Sequence, residues 1–318
     1  MPPSDPHLLR LGTRGSLLAR SQSQIIANAL EQAHGGLHVE LTIFKTSGDR
    51  IADRPLHEVG GKGLFIKELE QALLDGQIDF AVHSFKDVPT TMPLVEQGDL
   101  MVAAVPGRED PRDVLVCAKA ASIADLAAGA RIGTGSLRRR CQLLAARPDL
   151  QIEAIRGNID TRLRKQREGE YDAIVLALAG VRRAALFDPA IMHPLDVGVL
   201  LPAPGQGALA LQCRRNDERT RELLKALDDP PAAACVAAER ALVALLNGDC
   251  LSPIGALAKI DGSQLILEAA VGARGGTPPV IFARGEAERD HPHEAARQAF
   301  EALARQNAVE LLHGRQTR

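Results

Sequence analysis

The strongest constraint on this chain is an alternation that runs through it twice. Short apolar runs of strand length trade places with amphipathic stretches of helix length, then the order starts again. Residues 8–12 (LLRLG) read as a strand, and 16–31 as a helix with Leu17, Leu18, Ile25, Ala29 and Leu30 at roughly helical spacing. Residues 39–45 alternate, as a strand does. Residues 64–75 form a helix with Leu64, Leu69, Ala72 and Leu73 on one face, and 78–83 a buried strand. A β-α-β-α-β order predicts a parallel sheet. From Leu100 it resumes: strands over 102–105 and 114–117, a short helix over 122–128, then residues 131–133 leading into a helix through Ala146. A strand over 152–156, a helix over 160–169 and a strand over 173–178 complete it. What repeats is the order of elements, not the sequence.

The last third differs. After the turn-rich 199–208 come an apolar strand to Cys213 and a helix over 219–227. A long Ala/Leu-rich helix over 232–247 is stopped by Gly248 in the manner of a C-terminal glycine cap. Strands over 256–259, 265–271 and 280–285 and a helix over 293–312 then read as a separate α+β domain. A chain of 318 residues suits two or three such domains.

Composition removes several function classes. A net charge of −2 draws the chain to neither nucleic acid nor membrane. With no Trp, one Tyr and seven Phe it lacks a stacking platform for single strands. Its five cysteines are odd in number and none forms a CxxC pair, which argues against a disulfide framework or a structural metal and for a reducing compartment. The N-terminus has no apolar signal region, and the longest apolar run, 173–179, is too short to span a bilayer. The expectation is a cytoplasmic, soluble, multidomain monomer with no metal.

Four segments carry chemistry, and each has a plainer reading. In GTRGS (12–16), Arg14 sits in a strand-to-helix turn that favours an anion, or is a solvated arginine beside a Ser16 N-cap. In VHSFKDVP (82–89), Lys86 and Asp87 follow a buried strand at its carboxyl end, where open α/β sheets bind ligands. Asp87 there stabilises a cation or protonates a leaving group, or merely caps the next turn. The stretch from 131 to 183 holds twelve Lys and Arg against six Asp and Glu, a local net of +6. Thr134 and Ser136 are placed to cap a helix whose first turn carries Arg138 and Arg139, against the helix dipole. Cations so placed point to a bound anion, and the arginine fork suits a carboxylate. A solvated face accounts for Arg164, Lys165 and Arg167. In NGDCLSPIG (247–255), Cys250 lies in a loop past a helix end, as a covalent attachment point or an incidental cysteine.

Taken together, GGKGLFIKELE (60–70), VHSFKDVP, REDPRD (108–113), GTGSLRRR (133–140), IRGNIDTR (155–162), YDAIVLALAG (171–180), LPAPGQGAL (201–209) and the Cys250 loop resemble, in content and order, the hydroxymethylbilane synthase (porphobilinogen deaminase) family. Only the stretch beyond about residue 260 is generic. The resemblance implies two lobes like a type II periplasmic-binding-protein pair, residues 1–104 with 203–224 and residues 105–202, plus a small α+β domain over 225–318. It implies a dipyrromethane cofactor, built from two substrate molecules and held by a thioether to Cys250. Four porphobilinogens are then joined head to tail, each losing ammonia, and water releases the linear tetrapyrrole used in haem biosynthesis. Asp87 matches the family's catalytic carboxylate. Arg14, Ser16, Ser84, Lys86, Thr134, Ser136, Arg138, Arg139, Arg156 and Gly157 match cofactor-binding positions. Arg14, Arg156, Arg162, Arg183, Lys62 and Gln206 match substrate-binding positions, Lys62 within an active-site lid. Two departures stand out: His57 and Glu58 where a lysine is common, and GDCLSP around the cysteine where a second glycine precedes it.

A non-catalytic two-lobed receptor for a small carboxylate explains the lobes but not Cys250 or the third domain. A nucleic-acid module is disfavoured by charge and by the scarcity of aromatics.

Overall fold

The computed structural model describes residues 7–46, 66–89, 99–249 and 251–314. They fall into two compact units, one within Met1–Arg108 and Ala208–Ala233, the other within Glu109–Gly207 and Ala234–Arg318.

The first unit is built on β1 (Leu8–Arg14), α1 (Leu17–Ala33), β2 (His38–Phe44), α2 (Lys67–Leu74), β3 (Phe80–Ser84), β4 (Leu100–Ala104) and β10 (Leu209–Arg214), followed by α6 (Glu218–Lys225). Ser16 starts α1 by accepting the Ala19 N–H on its Oγ at 3.3 Å. The helix buries Ile26, Ala27 and Leu30 in one core with Leu9, Leu11, Phe80 and Leu211. Each of these side chains larger than alanine contributes about 1.5–3 kcal/mol by leaving water. The strand order is β2-β1-β3-β10-β4. β1 is parallel to β2 and β3, while β10 runs antiparallel to β3 and β4. The expected parallel sheet is therefore corrected to a mixed one. The strand that reverses the direction comes from more than a hundred residues later, and apolar periodicity does not encode strand direction.

The second unit repeats the plan with β5 (Asp113–Val116), β6 (Arg131–Gly133), α3 (Leu137–Ala146), β7 (Gln151–Glu153), α4 (Ile159–Arg167), β8 (Ala173–Ala177), α5 (Leu178–Arg183) and β9 (Met192–Pro194). Its order is β7-β6-β8-β5-β9, with β6 parallel to β7 and β8, and β5 antiparallel to β8 and β9. The helix expected over 122–128 does not form. Ser122 Oγ donates to Asp125 Oδ2 at 2.7 Å and accepts the Asp125 N–H at 3.3 Å, a local ring that replaces helical bonding.

The rest of this unit has its own sheet and core. α7 (Pro230–Leu245) leads to the antiparallel meander β11 (Ile254–Asp261), β12 (Gln264–Gly272) and β13 (Val280–Glu288), then α8 (Pro292–Arg305) and α9 (Ala308–His313). Ala238, Leu242 and Leu246 of the α7 region and Ala295, Ala299 and Leu303 of α8 share that core. The single helix expected over 293–312 is broken at Asn307, whose φ is +61°. The stop of α7 also differs from expectation. Asn247, at φ +48°, takes the left-handed position, and the Gly248 N–H reaches back to the Val243 carbonyl at 2.9 Å. Gly248 serves space instead: a Cβ there would lie 2.4 Å from Ile254 Cδ1.

The first expected domain, 1–104 with 203–224, overlaps the first unit except at 203–207, which lie in the second. Most of the expected 105–202 and 225–318 falls in the second unit, while 105–108 and 225–233 lie in the first.

Candidate active site

In the first unit the chain leaves β1 for β2 on one side and returns to β3 on the other. Order reversal of this kind opens a crevice at the carboxyl ends of the two central strands. β1 ends at Arg14 and β3 at Ser84. Beyond Ser84 a single 3-10 turn covers Phe85–Asp87. Phe85 is buried and its N–H donates to the Ala208 carbonyl at 3.0 Å. The Val88 N–H then closes on the Phe85 carbonyl at 3.0 Å. With Phe85, Val88 and Pro89 inside, the turn leaves Lys86 half-buried and presents Asp87 to solvent. Ser84 Oγ is paired with the Gln22 side chain of α1 at 3.1–3.2 Å.

Behind this turn runs a buried polar chain. His83 Nε2 donates to Gln212 Oε1 at 2.9 Å, and Gln212 Nε2 donates to Glu70 Oε1 at 2.8 Å. Burial pushes the His83 imidazole down to about 4, against the Gln212 bond and with the Arg14 charge adding to the fall. Nothing in the local sequence pattern marks this chain, because its other two members, Glu70 and Gln212, are 13 and 129 residues from His83, and Gln212 reaches it only through β3–β10 pairing.

The second unit has the same switch between β6 and β8. The Thr134 N–H donates to the Glu153 carbonyl at 2.9 Å, Thr134 Oγ1 accepts the Ser136 N–H at 3.3 Å, and Ser136 Oγ accepts the Arg139 N–H at 3.4 Å. Thr134 and Ser136 thus set the start of α3. Arg138 and Arg139 point inward and are buried, on Asp113, which is 0% exposed. Arg138 Nη1 meets Asp113 Oδ2 at 2.7 Å, and Arg139 meets Oδ1 with Nε at 3.1 Å and Nη2 at 2.7 Å. Gln206 Nε2 adds a third partner at 2.9 Å, and also donates to the Pro111 carbonyl at 2.7 Å. Burial works to raise the Asp113 carboxyl, but the two guanidinium charges and their hydrogen bonds hold it well below the carboxylate range. The anion expected from the placement of Arg138 and Arg139 is thus supplied in part by the chain itself. Within REDPRD no local pattern marks Asp113 as the acid that α3 covers.

Two guanidinium groups face one carboxylate, leaving a surplus positive charge, and Arg138 Nε is buried without a hydrogen-bond partner. Arg183 donates to the Gly207 carbonyl at 2.8 Å and is depressed by burial, partly offset by Glu109. Arg162 Nε donates at 2.8 Å to the carbonyl of Gly157, which sits at φ +107°. Arg156 lies just before that glycine, past the end of β7. Buried guanidinium surplus, hydroxyls and an orphaned N–H are the donor set an acidic ligand such as a carboxylate-bearing dipyrromethane requires, so these residues fit that group. Cys250 and Lys62 lie outside the described residues. Cys117, Cys141, Cys213 and Cys235 are buried and in no disulfide among the described residues. Among the described residues no cluster of His, Cys, Asp and Glu is arranged for a metal.

Residues 9–222 match the family described as "Porphobilinogen deaminase, dipyromethane cofactor binding domain", and residues 233–304 its C-terminal domain. A porphobilinogen deaminase of Roseiflexus sp. is 49% identical over 279 residues, covering 88% of this chain and 90% of that one. One from Acidithiobacillus ferrooxidans is 45% identical and covers 96% of this chain and 98% of its own. A looser likeness, at TM-score 0.43 and 12% identity over 70% of this chain and 91% of the other, is to a putative methionine-binding lipoprotein of Bacillus subtilis. With both family domains matched in order, and relatives near half identity spanning almost its full length, the chain belongs to the porphobilinogen deaminase family.

Proposed function

We propose that the chain is a transferase that joins four porphobilinogen molecules head to tail and releases hydroxymethylbilane, working from a dipyrromethane carried on Cys250. The observation that carries this reading is Asp87, an exposed carboxylate at the tip of β3 whose neighbours Phe85 and Val88 fix the turn from inside. When porphobilinogen loses ammonia, positive charge spreads onto its pyrrole nitrogen. A fixed carboxylate that accepts the pyrrole N–H stabilises that charge as it develops. Asp87 has this role in the proposal. Lys86, Arg14, Ser16 and Ser84 hold substrate and cofactor carboxylates beside it.

In the second unit Thr134, Ser136, Arg138, Arg139, Arg156 and Gly157 would hold the dipyrromethane by its acetate and propionate groups. Arg162, Arg183, Gln206 and Lys62 are assigned to incoming substrate. The cofactor, when bound, supplies the nucleophilic pyrrole end from which the chain grows. The surplus guanidinium charge around Asp113 supports this use, because each added ring brings two further carboxylates. A non-catalytic receptor for a small carboxylate would leave the exposed Asp87 without a task. The reading includes a cytoplasmic monomer with no nucleic-acid partner; the net charge of −2 supports the last of these alone. No described helix is long and apolar enough to cross a membrane.

Intact mass after incubation with porphobilinogen tests the reading. The expected result is an excess of two linked pyrrole units, lost in Cys250→Ser. Turnover by a chain of unmodified mass would overturn it.

A further inference from the structure

We infer that Asp113 is a positioning residue of the cofactor site, holding Arg138, Arg139 and Gln206 in one array that receives a ligand carboxylate. The three residues come from separate parts of the chain, two from the first turn of α3 and one from the turn before β10, and all donate to the same carboxylate. Each is also tied to a backbone carbonyl. Arg138 donates to Leu201 at 2.8 Å, Arg139 to Val175 at 2.8 Å and Gln206 to Pro111 at 2.7 Å. Asp113 therefore sits at the crossing of α3, β5, β8 and the 201–206 segment.

A stability role alone calls for a balanced pair, since a buried ion pair is a weak source of stability and an excess buried cation is a cost. This array is unbalanced by one positive charge and retains an orphaned donor, Arg138 Nε. A folded chain tolerates that surplus where an incoming anion answers it. Asp113 fixes the direction of both forks beforehand, so little side-chain freedom is left to lose when a carboxylate arrives. The register of the two sheets supports the same point. Asp113 of β5 pairs with Ala177 at the carboxyl end of β8. The equivalent residue of the first unit, opposite Ser84 at the end of β3, is Leu209. The carboxylate belongs to one lobe's ligand end, not to the fold the lobes share.

The inference rests on the proposed assembly of the dipyrromethane, and its test separates the two. Chains lacking the cofactor are incubated with porphobilinogen and followed by intact mass and thermal melting. Asp113→Asn, nearly isosteric, is expected to fold and to gain the two-pyrrole excess about tenfold more slowly than wild type, the size of one lost charge-assisted contact. Asp113→Glu, which restores the charge but displaces it, is expected to load at an intermediate rate. Val116→Ala, a cavity variant at the other end of β5, is expected to melt lower yet load at the wild-type rate. Wild-type loading by Asp113→Asn would overturn the inference, as would equally slow loading by Val116→Ala. Failure of both Asp113 variants to fold would also overturn it by assigning Asp113 to stability. If wild type gains no mass, the proposed function fails before Asp113 is at issue.

Discussion

The two sheet units share a strand plan and differ in where they keep charge. In the first, order β2-β1-β3-β10-β4, the chain beyond β3 carries its charge outward on Asp87, with Lys86 half-buried beside it. Among its buried polar groups, His83 and Gln212 lie within the sheet and Glu70 on α2 against it. In the second, order β7-β6-β8-β5-β9, the end of β8 is underlaid by Asp113 with two arginines, and the strand interior is apolar: Val114, Leu115, Val116, Ile174 and Val175 are all buried. One plan thus yields an exposed carboxylate in one unit and a buried, net cationic array in the other. Charge at the tip of a strand is free to act on substrate. Charge sunk beneath a strand is part of the fold as well as the site.

If that contrast is right, removing a charge should have opposite signatures in the two units. Arg139→Leu strips half of the buried array and is expected to cost about 3–5 kcal/mol of stability in a denaturant melt, with slow cofactor loading, because two bonds to Asp113 and one to the Val175 carbonyl are lost in the interior. Unchanged stability would make the second unit resemble the first. Asp87→Asn should do the reverse, lowering turnover by about 10²–10³-fold, or about 3–4 kcal/mol of transition-state stabilisation, while the melt barely moves. Wild-type turnover would remove Asp87 from the chemistry.

A smaller effect sharpens the contrast through pH. Unfolded, the His83 imidazole takes up a proton near 6.5; folded, only at about 4. Between those values the unfolded chain binds more protons, so stability falls as pH drops from 6.5 towards 4, by at most about 3 kcal/mol. His83→Gln is expected to flatten that slope in melts taken across the window. An equal slope in the variant would place the linkage elsewhere. The Asp113 carboxyl, held low, adds a further loss only at pH below the ordinary carboxylate value of 3.8.

How much of this was legible in the sequence follows from the range of each interaction. The alternation located almost every strand and helix, since the side chains that define them are neighbours within one element. Ser16 and Ser136 were readable as caps because a cap bonds only three residues ahead. Asp87 and the arginines were reached through motif order. Asp113 was not singled out: a lone acid at the head of an apolar strand looks like a turn residue until α3 folds over it. The His83 chain needs β10 in place, and the β10 partners are more than a hundred residues away. Local competition explains the other misses, from the Ser122–Asp125 ring to left-handed Asn247 and Asn307.

The placement of β10 has a consequence for how the molecule is made. β4 joins the first sheet only through β10, so until residues 209–214 leave the ribosome β3 lacks a neighbour and β4 lacks any partner. The second sheet needs nothing beyond Pro194. The lobe whose synthesis begins first is therefore completed last, and its open edge must stay clear of other nascent chains while more than a hundred residues are added.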